Sequence, residues 1–313
     1  MQPLTLQPGD TVSLIAPASQ CRGEDRDLLA AGVALLERWQ LRVRVRVDAS
    51  NHFYLAGPDP VRAGHLLDAL GDAETRAIFC MRGGYGCTRL LPALARAPAP
   101  TPRLLVGFSD ITALHLACAR LWPQVRGIHA PNVATRQLLG EGAACEANRR
   151  ALHAALFDPH HAISAPIRAL RPGRASGPLV GGCLSLIASC LGTPFAPDTR
   201  GAVLFLEDVD EAPYRIDRML TQARLAGLFE GVAGIVFGDM HGCHDAHNDL
   251  GAVIDDALQG LDVPIGIGLP SGHGPENLSL RLGEMAELDA DGGMFRFLGG
   301  GREALLWLGD PFP

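Results

Sequence analysis

The chain has 313 residues, and at roughly 100 to 200 residues per domain two domains are expected. A formal net charge of −7, with 19% charged and 47% hydrophobic residues, describes a globular protein and excludes both a disordered chain and a nucleic-acid binder working through a basic surface. The 37 glycines and 23 prolines recur with no period, so they predict many tight turns around a core of Leu, Val, Ala and Ile rather than a low-complexity fibre.

Met1 to Asp10 lacks the positive region and apolar run of a signal peptide, so export by that route is not expected. Ala175 to Pro197 is the one long uncharged stretch. Pro178, Gly181, Gly182, Ser185, Ser189, Gly192 and Pro194 dilute it below what a membrane span needs, and it reads as a buried helix with its turns. The eight cysteines include no C-x-x-C pair and several lie in apolar runs, which predicts reduced, buried thiols in the cytoplasm.

Short apolar runs alternate with helix-length amphipathic stretches, the pattern of an α/β protein with a mainly parallel sheet. Thr11 to Ala16 reads as a buried strand and Glu24 to Gln40 as a helix with Leu28, Leu29, Val33 and Leu36 on one face. Leu41 to Val47 alternates strictly, a strand whose arginines face solvent. Val61 to Leu70 is a helix, Ala77 to Met81 a strand, Arg82-Gly83-Gly84-Tyr85-Gly86 a glycine-rich turn and Cys87 to Ala95 a helix. The strand Leu104 to Gly107 passes through Phe108-Ser109-Asp110 into a helix from Ile111 to Leu121. Residues 159–177 carry Pro, Ala, Arg and Ser and read as a linker between a domain of residues 1–158 and one of 178–313. Beyond it come a helix near Gly182 to Leu191, a strand Ala202 to Leu206, a helix Ile216 to Leu228, and strands Gly234 to Phe237 and Pro264 to Gly268.

Ser109 ends an apolar strand and precedes a helix, so its hydroxyl is expected at the carboxyl edge of a sheet. That context fits either a nucleophile or a helix N-cap, and the G-x-S-x-G form is not met because Ile111 takes the place of a small residue. A serine hydroxyl needs a base and a group to orient the base. Glu207 closes the run Ala202 to Leu206, and His273 sits in Ser271-Gly272-His273-Gly274-Pro275 after another apolar run. An acidic solvated loop and an ordinary loop histidine are the plainer readings of these two.

Gly83 and Gly84 follow a strand without forming a phosphate-binding pattern, so an oxyanion hole of their backbone N–H groups with that of Asp110 is the alternative. His241, His244 and His247 recur every three residues among carboxylates, but in a loop with Gly and Asn a solvated segment is favoured over a metal site. His129 is open between a packed polar residue and a substrate contact.

These segments together resemble the serine LD-carboxypeptidases. The resemblance runs through Gly9-Asp10-Thr11-Val12 to Ser19, Arg82 to Gly86 with Arg89-Leu90-Leu91-Pro92, and Gly107 to Thr112. It continues in Gly127 to Pro131, Leu206 to Val209 with Pro213 to Leu220, and Gly272-His273-Gly274 leading to Leu280. It implies an N-terminal Rossmann- or flavodoxin-like parallel-sheet domain, a C-terminal α/β domain with a small sheet or barrel, and a cytoplasmic homodimer. Position by position it implies Ser109 as nucleophile, Glu207 as the orienting acid and His273 as base. The reaction implied is hydrolysis of the meso-diaminopimelyl-D-alanine bond of a murein tetrapeptide through an acyl-enzyme, with no cofactor, metal, nucleic acid or membrane. Arg82 is a candidate for the substrate carboxylate by loop position. Arg281 departs from the small residue expected there. The rivals are a related serine amidase that cleaves peptidyl-nucleotide antibiotics, which would want an aromatic platform beyond Trp39, Trp122 and Trp307, and a two-domain binding protein without a nucleophile.

Overall fold

The computed structural model describes residues 4–20, 23, 25–47, 51–297 and 305–306. Cys21, Glu24 and Trp307 lie outside them. The chain divides into two compact units, Met1–Asp158 with Pro275–Arg281, and Pro159–Gly274 with Leu282–Pro313.

The first unit runs β1 (Thr11–Ile15), α1 (Asp25–Arg38), β2 (Arg42–Arg46), α2 (Asp59–Gly71), β3 (Thr75–Cys80), α3 (Leu91–Leu94), β4 (Arg103–Gly107), α4 (Thr112–Leu121), β5 (Val125–His129), α5 (Arg136–Leu139) and α6 (Ala143–Phe157). Strands β5, β4, β3, β1 and β2 lie parallel in that order, and Leu280–Arg281 pairs antiparallel with β5. The continuous apolar runs became the central strands: β1 and β4 are buried throughout, as parallel strands covered on both faces must be. The alternating run became the edge strand β2. Its arginines are tied down as well as solvated: Arg44 and Arg46 bond Asp72 at 2.5 and 2.7 Å. Burial opposes ionisation of Asp72, but the bonds from Arg44, the Glu74 N–H and Thr75 hold its carboxyl down at about 2.

Arg281, the unexpected residue, is buried, and its guanidinium donates to the carbonyls of Ala155 and Asp158 at 2.9 and 2.7 Å. Those carbonyls close α6, where a helix leaves acceptors without partners of its own. Asn148 secures the same segment, donating to Pro275 O and accepting from Asn277 N–H.

The second unit runs β6 (Ile163–Pro166), β7 (Arg168–Arg171), β8 (Arg174–Cys183), α7 (Leu184–Cys190), β9 (Val203–Val209), α8 (Pro213–Leu225), β10 (Gly234–His241), α9 (Leu250–Ala257) and β11 (Ile265–Gly272). After β12, the Leu280–Arg281 strand of the first unit, come β13 (Met285–Asp289), β14 (Met294–Phe297) and β15 (Leu305–Leu306). Strands β8 to β11 are parallel; β13, β14 and β6 extend the sheet antiparallel from β8, and β7 pairs antiparallel with β11. In the sheet β6 lies near one end and β7 at the other, yet in the chain only Ile167 separates them. The sheet therefore curls into a nearly closed barrel.

The segment 159–177, expected as a linker, is thus β6, β7 and the start of β8. The stretch from Ala175, expected as helix, is strand through Cys183, with only the seven-residue α7 behind it. Cys87 to Ala95, expected as one helix, is a 3-10 turn at Cys87–Leu90 followed by α3. The seven described cysteines are free thiols, and burial raises Cys118 to about 12 and Cys243 to about 11. Among the described residues no helix is long and apolar enough to cross a membrane.

Candidate active site

Ser109 follows the extended Phe108 at the tip of β4 and opens a 3-10 turn, Ser109–Ile111, that leads into α4. Its φ is +63°, a left-handed conformation that costs a non-glycine residue of order 1 kcal/mol or more and recurs at functional turns. The strain is held by neighbours. Asn132 clamps the preceding residue from both sides, accepting from Phe108 N–H at 3.3 Å and donating to Phe108 O at 3.4 Å. Gly107, at φ +155°, has no room for a side chain: a β-carbon there would meet Asn132 Oδ1 at 2.6 Å. The turn is capped at Phe108 and α4 at Ile111, so Ser109 lies within the turn and is not the N-cap of either. The residue is partly exposed.

The glycine-rich turn is packed against this serine. A β-carbon on Gly83 would lie 2.8 Å from Ser109 Cβ and 2.9 Å from its Oγ, and 3.5 Å from Asp110 N. Gly84 leaves space for Ser19, whose hydroxyl accepts the Tyr85 N–H at 3.1 Å. Gly86 leaves space for Arg62, a fully buried guanidinium that donates to Pro17 O, to Gly57 O at 3.1 Å and to Gly86 O at 3.0 Å. Each glycine of the turn therefore admits a different side chain. Asp110 anchors the turn's end, its carboxylate accepting the Cys87 N–H at 2.8 Å. The first unit thus brings together Ser109, Gly83, Gly84 and Asp110.

In the second unit β9 carries Glu207, which is fully buried, and the loop after β11 carries His273. Their side chains meet: His273 Nδ1 and Glu207 Oε2 are 2.6 Å apart. Burial alone drives a histidine toward neutrality, as at His115, where it lowers the ring to about 4. At His273 burial also pulls down, but the bond to Glu207 and the charges of Glu207, Asp208 and Asp239 outweigh it and raise the ring above the ordinary imidazole value. The two groups titrate as a pair that keeps its proton to higher pH than a free histidine.

Arg82 donates to Gln20 O at 3.2 Å. His129 ends β5 fully buried, its ring edge-on to Phe108, the residue before the serine, at 5.7 Å. His241, His244 and His247 are exposed, and Asp245 in their midst accepts from the backbone of His247 and Asn248 at 2.7 Å each. Among the described residues no group of three or more His, Cys, Asp or Glu side chains is placed to hold a metal ion.

Sequence reasoning missed Arg62, Asn132 and Asp239. It also sought an aromatic surface among the tryptophans alone. Trp39 is packed edge-on to His153 at 5.3 Å and Trp122 is buried. Among the described residues the exposed aromatics are instead Phe53, Tyr54, Tyr85 and Tyr214, at 75%, 55%, 45% and 56% exposure, with the rings of Tyr54 and Tyr85 5.7 Å apart.

Two sequence matches decide the family. Residues 12–130 match the LD-carboxypeptidase N-terminal domain and residues 176–288 the LD-carboxypeptidase C-terminal domain. The chain belongs to the LD-carboxypeptidase family. Among curated relatives, the murein tetrapeptide carboxypeptidase of Pseudomonas aeruginosa is 33% identical, covering 92% of this chain and 96% of that one. The crystal structure of muramoyltetrapeptide carboxypeptidase from Oxalobacter formigenes superposes with a TM-score of 0.79 at 26% identity, covering 91% and 97% of the two chains. MccF in complex with glutamyl sulfamoyl guanosine shares the fold, with a TM-score of 0.81 at 19% identity over 96% and 98% of the chains. Membership makes the chain a peptidase by family, similar to enzymes named for murein peptides.

Proposed function

We propose that this family member is a serine LD-carboxypeptidase that removes the terminal D-alanine from the meso-diaminopimelate of a murein tetrapeptide. The observation that carries the reading is Ser109, held in a left-handed turn at a strand end with Gly83 against its hydroxyl. The Glu207–His273 pair supplies the other half of the chemistry.

In the proposed reaction His273, neutral and with Nδ1–H directed to Glu207, takes the Ser109 proton at Nε2 as the hydroxyl oxygen attacks the scissile carbonyl. The N–H groups of Gly83 or Gly84 and of Asp110 receive the oxyanion. The imidazolium returns its proton to the leaving amine of D-alanine, and an acyl-enzyme on Ser109 remains. Water, deprotonated by the same imidazole, hydrolyses it. Glu207 fixes the tautomer and stabilises the charged ring. Arg82 is assigned to the substrate's terminal carboxylate, with a planar fork suited to it. We assign the activity to a cytoplasmic homodimer, a compartment in which free thiols stay reduced.

Incubating the purified chain with free tetrapeptide tests the reading: mass spectrometry is expected to show loss of one D-alanine, and an unchanged tetrapeptide would refute it. One observation favours a second reading, cleavage of a peptidyl-nucleotide. Tyr54 and Tyr85 offer exposed rings for a base. Tight binding of an aminoacyl sulfamoyl nucleoside with no tetrapeptide cleavage would favour it.

A further inference from the structure

Next to Glu207 the sheet is irregular. Between the pairs Phe237·Leu206 and Met240·Asp208, β10 carries one residue more than β9, and on its other side the register with β11 breaks between Phe237 and Asp239. Such a bulge re-aims a side chain. Gly238 makes it sterically feasible, since a β-carbon there would meet Ser271 O at 2.3 Å and the ring of Phe205 at 2.6 Å. The residue re-aimed is Asp239.

Its carboxylate lies against Gly274, accepting the Gly274 N–H. A β-carbon on Gly274 would fall on Asp239 Oδ2 and 2.6 Å from its Cγ, although Gly274 does not have the left-handed φ that would itself demand glycine. The carboxylate of Asp239 is therefore the reason residue 274 has no side chain. On the loop's other flank a β-carbon on Gly272 would lie 2.8 Å from Glu207 Oε2 and 3.1 Å from Asp239 O. The three-residue loop carrying the imidazole is gripped between two carboxylates on adjacent strands.

We propose that Asp239 is a positioning residue for His273, holding the base's loop at Gly274 and completing, with Glu207, a pair of carboxylates around the imidazole. The inference rests on the proposed role of His273 as base. The charges acting on the ring are Glu207 and Asp208 on β9 and Asp239 on β10; behind them Cys183 on β8 neighbours Glu207 and Asp208, and His241 on β10 neighbours Asp239. Of the carboxylates, Asp208 is committed elsewhere, accepting from Ser185 N–H at 2.8 Å and Val209 N–H at 2.9 Å.

The test uses the full chain, with kcat and KM on tetrapeptide and NMR titration of the His273 ring. Asp239→Asn keeps an oxygen for the Gly274 N–H and removes the charge, so the ring's midpoint and the acid limb of kcat/KM are expected to move together to lower pH by roughly half a unit or more. Asp239→Ala and Gly274→Ala are each expected to lower kcat about 10-fold or more with KM within about 3-fold, a displaced base rather than a lost binding contact. The double variant is expected to be no worse than Asp239→Ala, because the new β-carbon then has room. An unmoved midpoint in Asp239→Asn, or losses that multiply in the double variant, would overturn the proposal. The NMR midpoint stands without catalysis: a wild-type chain that leaves tetrapeptide intact refutes the carboxypeptidase reading, while a shifted ring in Asp239→Asn still supports the grip on His273. Should Asp239→Ala not fold, the Asp239→Asn titration decides.

Discussion

Ser109 and His273 are held by different combinations of omission and charge. Around the serine the first unit works by omission: Gly83, Gly84, Gly86 and Gly107 each lack the atom that would displace Ser109, Ser19, Arg62 or Asn132. Around the histidine the second unit adds charge to omission: Gly272 and Gly274 leave room for Glu207 and Asp239, and with Asp208 these carboxylates act on one ring. Both surroundings should therefore be intolerant of added volume, and the base's surroundings intolerant of lost charge as well.

The largest expected effect is at the nucleophile itself. Ser109→Ala should lower kcat by about 10⁴-fold or more with the melting temperature nearly unchanged, read by steady-state kinetics beside calorimetry. Glu207→Gln follows, about 10³-fold in kcat, because an amide turned toward Nδ1 favours the wrong tautomer. Gly83→Ala should cost about 10²-fold, since its β-carbon would sit 2.9 Å from Ser109 Oγ; near-wild-type activity there would remove the steric half of the comparison.

The pH dependence sharpens the electrostatic half. His273 must be neutral to accept a proton, and its ring is raised above the ordinary value of about 6.5, so kcat/KM is expected to rise with pH through a limb above 6.5 rather than below. The stability linkage has the same origin. A raised folded-state value stabilises the protein fully below about 6.5, and that contribution is lost as pH climbs through the folded value. Glu207→Gln should flatten this loss in urea titrations at a series of pH values. The smallest effect is the steric control. Gly64 lies within α2 with no atom within 4 Å of its β-carbon position, so Gly64→Ala is expected to leave kcat unchanged and raise stability by about 0.5–1 kcal/mol.

What was legible in the sequence follows this division. β1, β3 and β4 are continuous apolar runs bounded by turn residues, and nothing distant is needed to recognise them. The serine turn and the glycine-rich turn were legible as strand-to-helix junctions for the same reason. The linker reading of 159–177 failed because Arg171-Pro172-Gly173-Arg174 has loop composition, while its strands depend on distant partners: β6 on β14 and β8 on β13. Arg171 itself is fixed by Asp255 at 2.7 Å and by Leu261 O. Arg62 resembled any solvated helix arginine, because the carbonyls that bury it come from Pro17, Gly57 and Gly86. Asp239 looked like the start of a polar loop, and only the bulge in β10 gives it a direction.

The most direct measurement of the proposed chemistry is the covalent labelling of the full chain by a serine-directed phosphonate, located by peptide mass spectrometry and timed for wild type and for His273→Ala. A single adduct on Ser109, forming faster as pH rises and at least about 10²-fold slower without the imidazole, is the expected result. An adduct on another residue, or one on Ser109 that forms as fast in His273→Ala, would contradict it.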